Sequence, residues 1–199
     1  MILCHGFHRT MGSVAQIMVF ICSGRLESAW DIMKENDISW HTLDYQRVFK
    51  DLEESLESEI DLGNIHNANR LKRRIHSLKT FQAYGLVPQQ SIATVDLPEG
   101  YQGKMLLIQI VGGAAHGMVC LRTGDDWHRE ILRNTIEEVQ DLGFENADVV
   151  PLGGAWIQFE ADGTITVYGS SEEFGACDKK LAADLISHAF PGNRVLTHH

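Results

Sequence analysis

Residues 104–111 read Lys-Met-Leu-Leu-Ile-Gln-Ile-Val. This short, nearly continuous apolar run has Gly103 before it and a glycine-rich stretch, Gly112 to Gly117, after it. That pattern predicts a strand buried on both faces. Met118 to Leu121 then reads as a return strand. Asp125 or Asp126 is placed to cap a helix from about Trp127 to Leu142, because a carboxylate accepts from first-turn N–H groups. Ile131, Leu132, Thr135, Val139 and Leu142 recur on one face of that helix, and Gly143 is placed to end it. Val149 to Leu152, Ala155 to Phe159 and Thr164 to Tyr168 read as further strands. Asp162-Gly163 turns the last two into a hairpin. Asp178 to Ala189 has the period of a second amphipathic helix, stopped near Pro191-Gly192. Arg194 to Thr197 reads as a final edge strand. Two helices against a mixed, mostly antiparallel sheet make an α+β domain, assigned here to residues 91–199.

Upstream, the pattern changes to a mainly helical N-terminal extension, residues 1–90. Val14 to Cys22 is apolar, but it is short and Gln16 interrupts it, so it reads as a buried strand or helix rather than a leader. Leu26 to Asn36 reads as a short helix. Thr42 is placed to cap the next one, with Tyr45 in its first turn and Val48, Phe49, Leu52 and Leu56 at helical spacing. The other face of that helix is acidic: Asp51, Glu53, Glu54, Glu57 and Glu59. A third helix, about Ile65 to Tyr84, is basic through Arg70, Lys72, Arg73, Arg74 and Lys79. The two are suited to pairing as an antiparallel hairpin; the alternative is a surface for a protein partner. Gly85 to Gly103 carries two prolines and two further glycines and reads as a linker with an extended piece at Ser91 to Leu97.

The 199 residues carry 17 Lys+Arg against 27 Asp+Glu, a formal net charge of −10. Residues 1–100 hold 10 basic and 13 acidic side chains, and the remainder 7 and 14. An acidic chain is unsuited to nucleic acid, whose backbone needs a basic field. A small phosphate site needs only a few local donors. The four cysteines, Cys4, Cys22, Cys120 and Cys177, form no Cys-x-x-Cys pair and no zinc spacing with histidine. They read as free thiols of a reducing, cytoplasmic compartment. No apolar run is long enough to span a bilayer.

Three places could carry chemistry. Trp127-His128-Arg129 opens the helix after Asp126. First-turn N–H groups lack intrahelical partners and the helix dipole adds positive charge, so this end suits an anion. A histidine there is held neutral near pH 7, as a base or nucleophile must be; its ordinary structural reading is a packing histidine. Tyr168 to Gly175, Tyr-Gly-Ser-Ser-Glu-Glu-Phe-Gly, is a glycine-bracketed loop after a strand. It can offer backbone N–H groups and the hydroxyls of Ser170 and Ser171 to an anion, or be an ordinary turn. Leu152-Gly153-Gly154 joins two strands, where a bulge or a close backbone approach accounts for the glycines. Lys104, at the head of a strand, alone would read as a solvated edge residue.

Taken in order, these pieces resemble the Janus/Ocnus family of small phosphohistidine phosphatases. The elements are Val95-Asp96-Leu97, Gly103-Lys104, Trp127-His128, Leu152-Gly153-Gly154, and Tyr168-Gly169 through Phe174-Gly175. The resemblance runs from about Ser91 to Leu196. It implies a metal-independent hydrolase with no cofactor, acting on phosphohistidine-containing proteins or peptides and releasing inorganic phosphate. It implies that His128 is the catalytic residue. It also implies that the backbone amides of His128 and Arg129 bind the phosphate, and that Lys104 and Ser171 reach it. Two departures stand out. Family members often carry arginine where this chain has Trp156, and Glu173 stands where a small residue is familiar, with Glu172 beside it. Carboxylates near a phosphate site repel a dianion. The alternative expectation is therefore a phosphate- or phosphoprotein-binding regulatory module that does not turn over. A third is an α+β domain in which His128 is structural.

Overall fold

The structure is a computed structural model that describes residues 4–124 and 126–198, the side chains of residues 4–11 excepted. Asp125, one of the two capping candidates, lies outside the described residues. The chain forms two compact units. One holds the residues up to Ile92 together with Glu138–Asn146; the other holds Ala93–Glu137 and Ala147 onward.

The first unit is helical: α1 (Cys4–Ser23), α2 (Leu26–Glu35), α3 (Gln46–Asp61), α4 (Ile65–Tyr84) and the single turn α5 (Pro88–Ser91). The apolar run at Val14 to Cys22 is thus part of a helix. Its Ile17 and Ile21 are buried with Leu26, Met33, Val48, Leu52, Leu78 and Phe81 in one core. The helices α3 and α4 pack on each other across a three-residue connection, the expected hairpin, through Val48, Leu52, Ile75, Leu78 and Phe81 rather than through their opposite charge. The start of α3 differs from the sequence expectation. Thr42 ends a 3-10 turn over Trp40–Thr42, where its hydroxyl donates to Ser39 O at 2.7 Å. The helix begins at Gln46, whose N–H donates to Asp44 Oδ1 at 3.0 Å. Tyr45 is buried, and its hydroxyl donates to Trp40 O at 2.8 Å. Burial of that ring outweighs the local capping preference of Thr42.

The segment Glu138–Asn146 buries Leu142 and Phe144 and is tied to this unit by polar contacts as well. The Asp141 carboxylate accepts from Arg70 Nη2 at 3.0 Å and from Arg73 Nη2 at 2.6 Å. The Ser77 hydroxyl donates to Leu142 O. Arg25, the cap residue of α2, makes no side-chain cap. Glu145 caps α2 instead, accepting from Ser28 N at 2.9 Å and Glu27 N at 3.3 Å, while Glu27 accepts from Asn146 N at 2.7 Å. This is a capping box closed across more than a hundred residues. Arg74 donates to Cys22 O at 2.6 Å. Three of the five basic side chains of α4 are therefore engaged inside the unit.

The second unit is the α+β domain. Its strands are β1 (Val95–Asp96), β2 (Gln102–Val111), β3 (Val119–Thr123), β4 (Asp148–Phe159), β5 (Ile165–Tyr168) and β6 (Val195–Thr197). They form one sheet in the order β1-β3-β2-β4-β5-β6. The four central strands are antiparallel, while β1 and β6 add to the edges in parallel. The two segments read separately as Val149 to Leu152 and Ala155 to Phe159 are one strand. A register shift opposite Leu107/Ile108 interrupts it at Leu152, which is where the bulge was expected. Side chains alternate across the sheet. Met105, Leu107, Ala155, Ile157 and Val167 face α7 (Lys179–Ala189), whose Ala182 and Ile186 are buried in the same cluster. Asp178 caps α7, accepting from Lys180 N and Leu181 N at 3.0 Å each. Lys104, Gly154, Trp156 and Tyr168 take the opposite face. The helix α6 (His128–Asp141) brings its first residue to that face.

Asp141 is nearly fully buried while its two arginine partners are partly exposed. Asp141→Ala should therefore lower the stability of the helical unit by about 1–3 kcal/mol, the range for charged hydrogen bonds screened on one side. Hydrogen exchange of the α4 amides measures it; unchanged protection would contradict this role.

Candidate functional site

The site is organised around a place where β4 has no side chain. A Cβ placed on Gly154 would lie 2.6 Å from the His128 ring atoms Cδ2 and Nε2, and 2.9 Å from the Cβ of Ser171. No real residue tolerates such distances, so only glycine lets the His128 ring and Ser171 lie against the strand together. The neighbouring Gly153, at φ +115°, serves a second approach: its Cβ would meet the Ala176 carbonyl at 2.5 Å. The loop after β5 is laced to this pair of glycines. Gly154 N donates to Gly175 O at 3.0 Å and Cys177 N donates to Gly154 O at 3.3 Å. Ser171 and Gly175 exchange two backbone hydrogen bonds of 3.1 and 3.0 Å. The Ser171 hydroxyl accepts from Phe174 N at 3.1 Å and Glu173 N at 3.3 Å. These bonds fix a loop that sequence alone leaves as a turn.

His128 is the first residue of α6 and is only 6% exposed. The preceding residue, Trp127, starts the helix: its carbonyl accepts from Glu130 N at 3.0 Å and Ile131 N at 3.1 Å. The N–H groups of His128 and Arg129 have no intrahelical acceptor at this position. The His128 Nε2 lies 3.3 Å from the Ala155 carbonyl oxygen. A carbonyl only accepts, so the neutral ring carries its proton on Nε2 and keeps its lone pair on Nδ1. Burial pushes the His128 pKa below its ordinary value. The Ala155 carbonyl works against that shift, the Lys104 ammonium adds to it, and Glu173 opposes it. The outcome is a neutral imidazole.

Lys104 stands directly opposite Trp156 in the β2–β4 ladder. Its Nζ lies 4.7 Å from the Trp127 ring centre and 5.5 Å from that of Trp156. Arg129 is largely exposed; its guanidinium lies 5.4 Å from the Trp127 ring and 3.9 Å from the Glu130 carboxylate. Arg122 pairs with Leu106, on the same sheet face, and is buried. Of the residues expected from sequence, His128, Ser171 and Lys104 converge, and Arg129 brings its backbone N–H to the same helix end. Ser170 is exposed, and Ser171 is the buried one of the pair. Sequence reading missed the part played by Trp127 as a ring against Lys104, and the necessity of Gly154. The only signal for the latter was the Gly-Gly pair itself. Among the described residues, no three His, Cys, Asp or Glu side chains form a group able to hold a metal ion. No described helix is long and apolar enough to cross a membrane.

The model of the Janus/Ocnus family matches residues 89–194, slightly more than half the chain. No curated protein matches the chain.

Two outcomes follow from this geometry. With its folded pKa depressed, His128 contributes stability that is complete above the unfolded pKa of about 6.5. That contribution is lost as pH falls through the lower, folded value. An NMR titration of the ring should give an inflection below 6.5; one at or above it contradicts the buried, neutral ring. Gly154→Ala should cost about 1–3 kcal/mol by overpacking and shift the His128 ring resonances. Unchanged resonances and stability would contradict the close approach.

Proposed function

Starting from membership of the Janus/Ocnus family, which the match establishes, we propose that the α+β unit is a phosphohistidine phosphatase with His128 as its catalytic residue. The observation that carries the reading is the convergence on Gly154. A neutral imidazole, a buried serine and the free-ended first turn of α6 meet there, with an ammonium within electrostatic reach. The substrate's phosphoryl oxygens accept from the N–H groups of His128 and Arg129, from Lys104 and from the Ser171 hydroxyl. The two amides and the Ser171 loop are fixed by backbone hydrogen bonds before substrate arrives, so they stabilise charge spread over the phosphoryl oxygens without reorganising, while Lys104 swings in from the indoles. His128 Nδ1 either takes a proton from the attacking water or attacks phosphorus itself. Both routes start from the same neutral ring. In the base route the proton that His128 takes from water passes to the leaving imidazole nitrogen as the P–N bond breaks; in the nucleophilic route that nitrogen takes its proton from solvent, and a water then cleaves the phosphorylated His128 to release phosphate. Acid-quenched trapping of a phosphorylated enzyme separates the routes, since only the nucleophilic one forms it.

A second reading has a specific observation behind it. Glu173 lies close enough to His128 to favour the charged ring, and Glu172 is adjacent. Both carboxylates oppose a bound dianion, which suits a regulatory module that binds a phosphorylated partner weakly and does not turn it over.

Phosphate release from a phosphohistidine peptide, without added metal, decides between them. Wild type should release phosphate, and His128→Ala should lose about 10²–10⁴-fold in kcat, the range for a positioned general base. Lys104→Ala and Ser171→Ala should raise KM by about 10- to 100-fold, as lost charged hydrogen bonds do. Full activity in His128→Ala overturns the catalytic assignment. Peptide binding by wild type with no release favours the second reading.

A further inference from the structure

Two large rings stand exposed at the mouth of this site. Trp127 is 57% exposed and Trp156 39% exposed. Both are held on rigid elements. Trp127 sets the N-terminus of α6 through its own carbonyl. Trp156 stands in the β4 ladder between Lys104 on β2 and Tyr168 on β5. Gly169, at φ +68°, gives it further room: a Cβ there would lie 3.2 Å from the Trp156 Cδ1. Exposed indoles kept in place by backbone geometry are costly to leave in water, and aromatic faces are recognition surfaces for other rings.

The ammonium of Lys104 now lies within cation–π range of both rings. A phosphoryl dianion attracts that ammonium more strongly than an aromatic quadrupole does, so a bound phosphate draws Lys104 away from the indole faces. The group bonded to the phosphorus then meets the indole faces that Lys104 leaves, with Arg129 still beside Trp127. We propose that Trp127 and Trp156 form an aromatic slot beside Lys104 that receives the planar imidazole of the phosphohistidine. The slot selects an aromatic N-phosphoryl group over the aliphatic one of phospholysine. This rests on the phosphatase reading above and names what that site prefers.

Trp156 is the sharper determinant. Its ring offers a face and no charge. An arginine there would strengthen phosphate binding regardless of the leaving group. A tryptophan strengthens binding only when the leaving group can stack.

The test compares full-length wild type with Trp156→Ala, Trp156→Phe and Trp156→Arg on two peptides that differ only in phosphohistidine or phospholysine. The readout is the ratio of the two kcat/KM values. Trp156→Ala should lower the ratio about two- to tenfold, the worth of one aromatic contact. Trp156→Phe should retain most of it, and Trp156→Arg should lower it, because the added charge serves both substrates while the stacking face is lost. A ratio unchanged in Trp156→Ala overturns the slot while leaving the phosphatase reading intact. Absence of turnover on both peptides by wild type overturns the phosphatase reading. In that case, tryptophan fluorescence with a stable phosphonotriazole peptide and its alkyl phosphonate counterpart still tests the slot. Tighter binding of the triazole, lost in Trp156→Ala, supports it; equal binding overturns it.

Discussion

The candidate site depends on the absence of two Cβ atoms. At Gly154 the sheet surface is bare backbone, and the His128 ring and Ser171 both settle on it. At Gly153 the backbone of the loop after β5 comes close enough to add hydrogen bonds to the strand. A single methyl group at either position would push apart elements that are 17 to 26 residues apart in sequence. This is how a helix start, a strand and a loop, none of which has a site by itself, are held in one geometry. Cores packed to crystal-like density leave no slack to absorb such a change.

The electrostatics follow from that packing. Because the His128 ring is buried against β4, its charged form is disfavoured, and the Ala155 carbonyl settles which nitrogen keeps the proton. The strand thus sets both the protonation state and the direction of the lone pair. Lys104 contributes from the same sheet face, one ladder step from Gly154's partner Leu106, and the two indoles hold it at the site's mouth. The carboxylate of Glu173 acts in the opposite sense. The arrangement is therefore a balance in which burial outweighs a nearby negative charge.

Much of the second unit was legible in the sequence because its signals are local. The apolar run 104–111, the Asp162-Gly163 hairpin, the amphipathic period of 178–189 and that of Ile131, Thr135 and Val139 each depend on residues a few positions apart. The hairpin of α3 and α4 was also legible, through the apolar period of each helix rather than through their charge. Features that rest on distant partners were not legible. Glu145 capping α2, Asp141 held by Arg70 and Arg73, and the continuity of β4 through its register shift all need the folded chain to exist first. Thr42 shows the limit from the other side: a good local cap lost to the burial of Tyr45. For the site, His128 and Ser171 were visible as types in context. That they touch the same glycine was not, since the Gly-Gly pair reads equally well as a bulge.

The central claim is that the amides at the start of α6 and the Ser171 loop form one anion site. Titration of the ¹⁵N-labelled full chain with inorganic phosphate, followed by amide shifts, tests it most directly. Saturable shifts at His128, Arg129 and Ser171 with a common midpoint, weakened in Lys104→Ala, are expected. Shifts confined to the basic residues of α4, or none at these three amides, would contradict it.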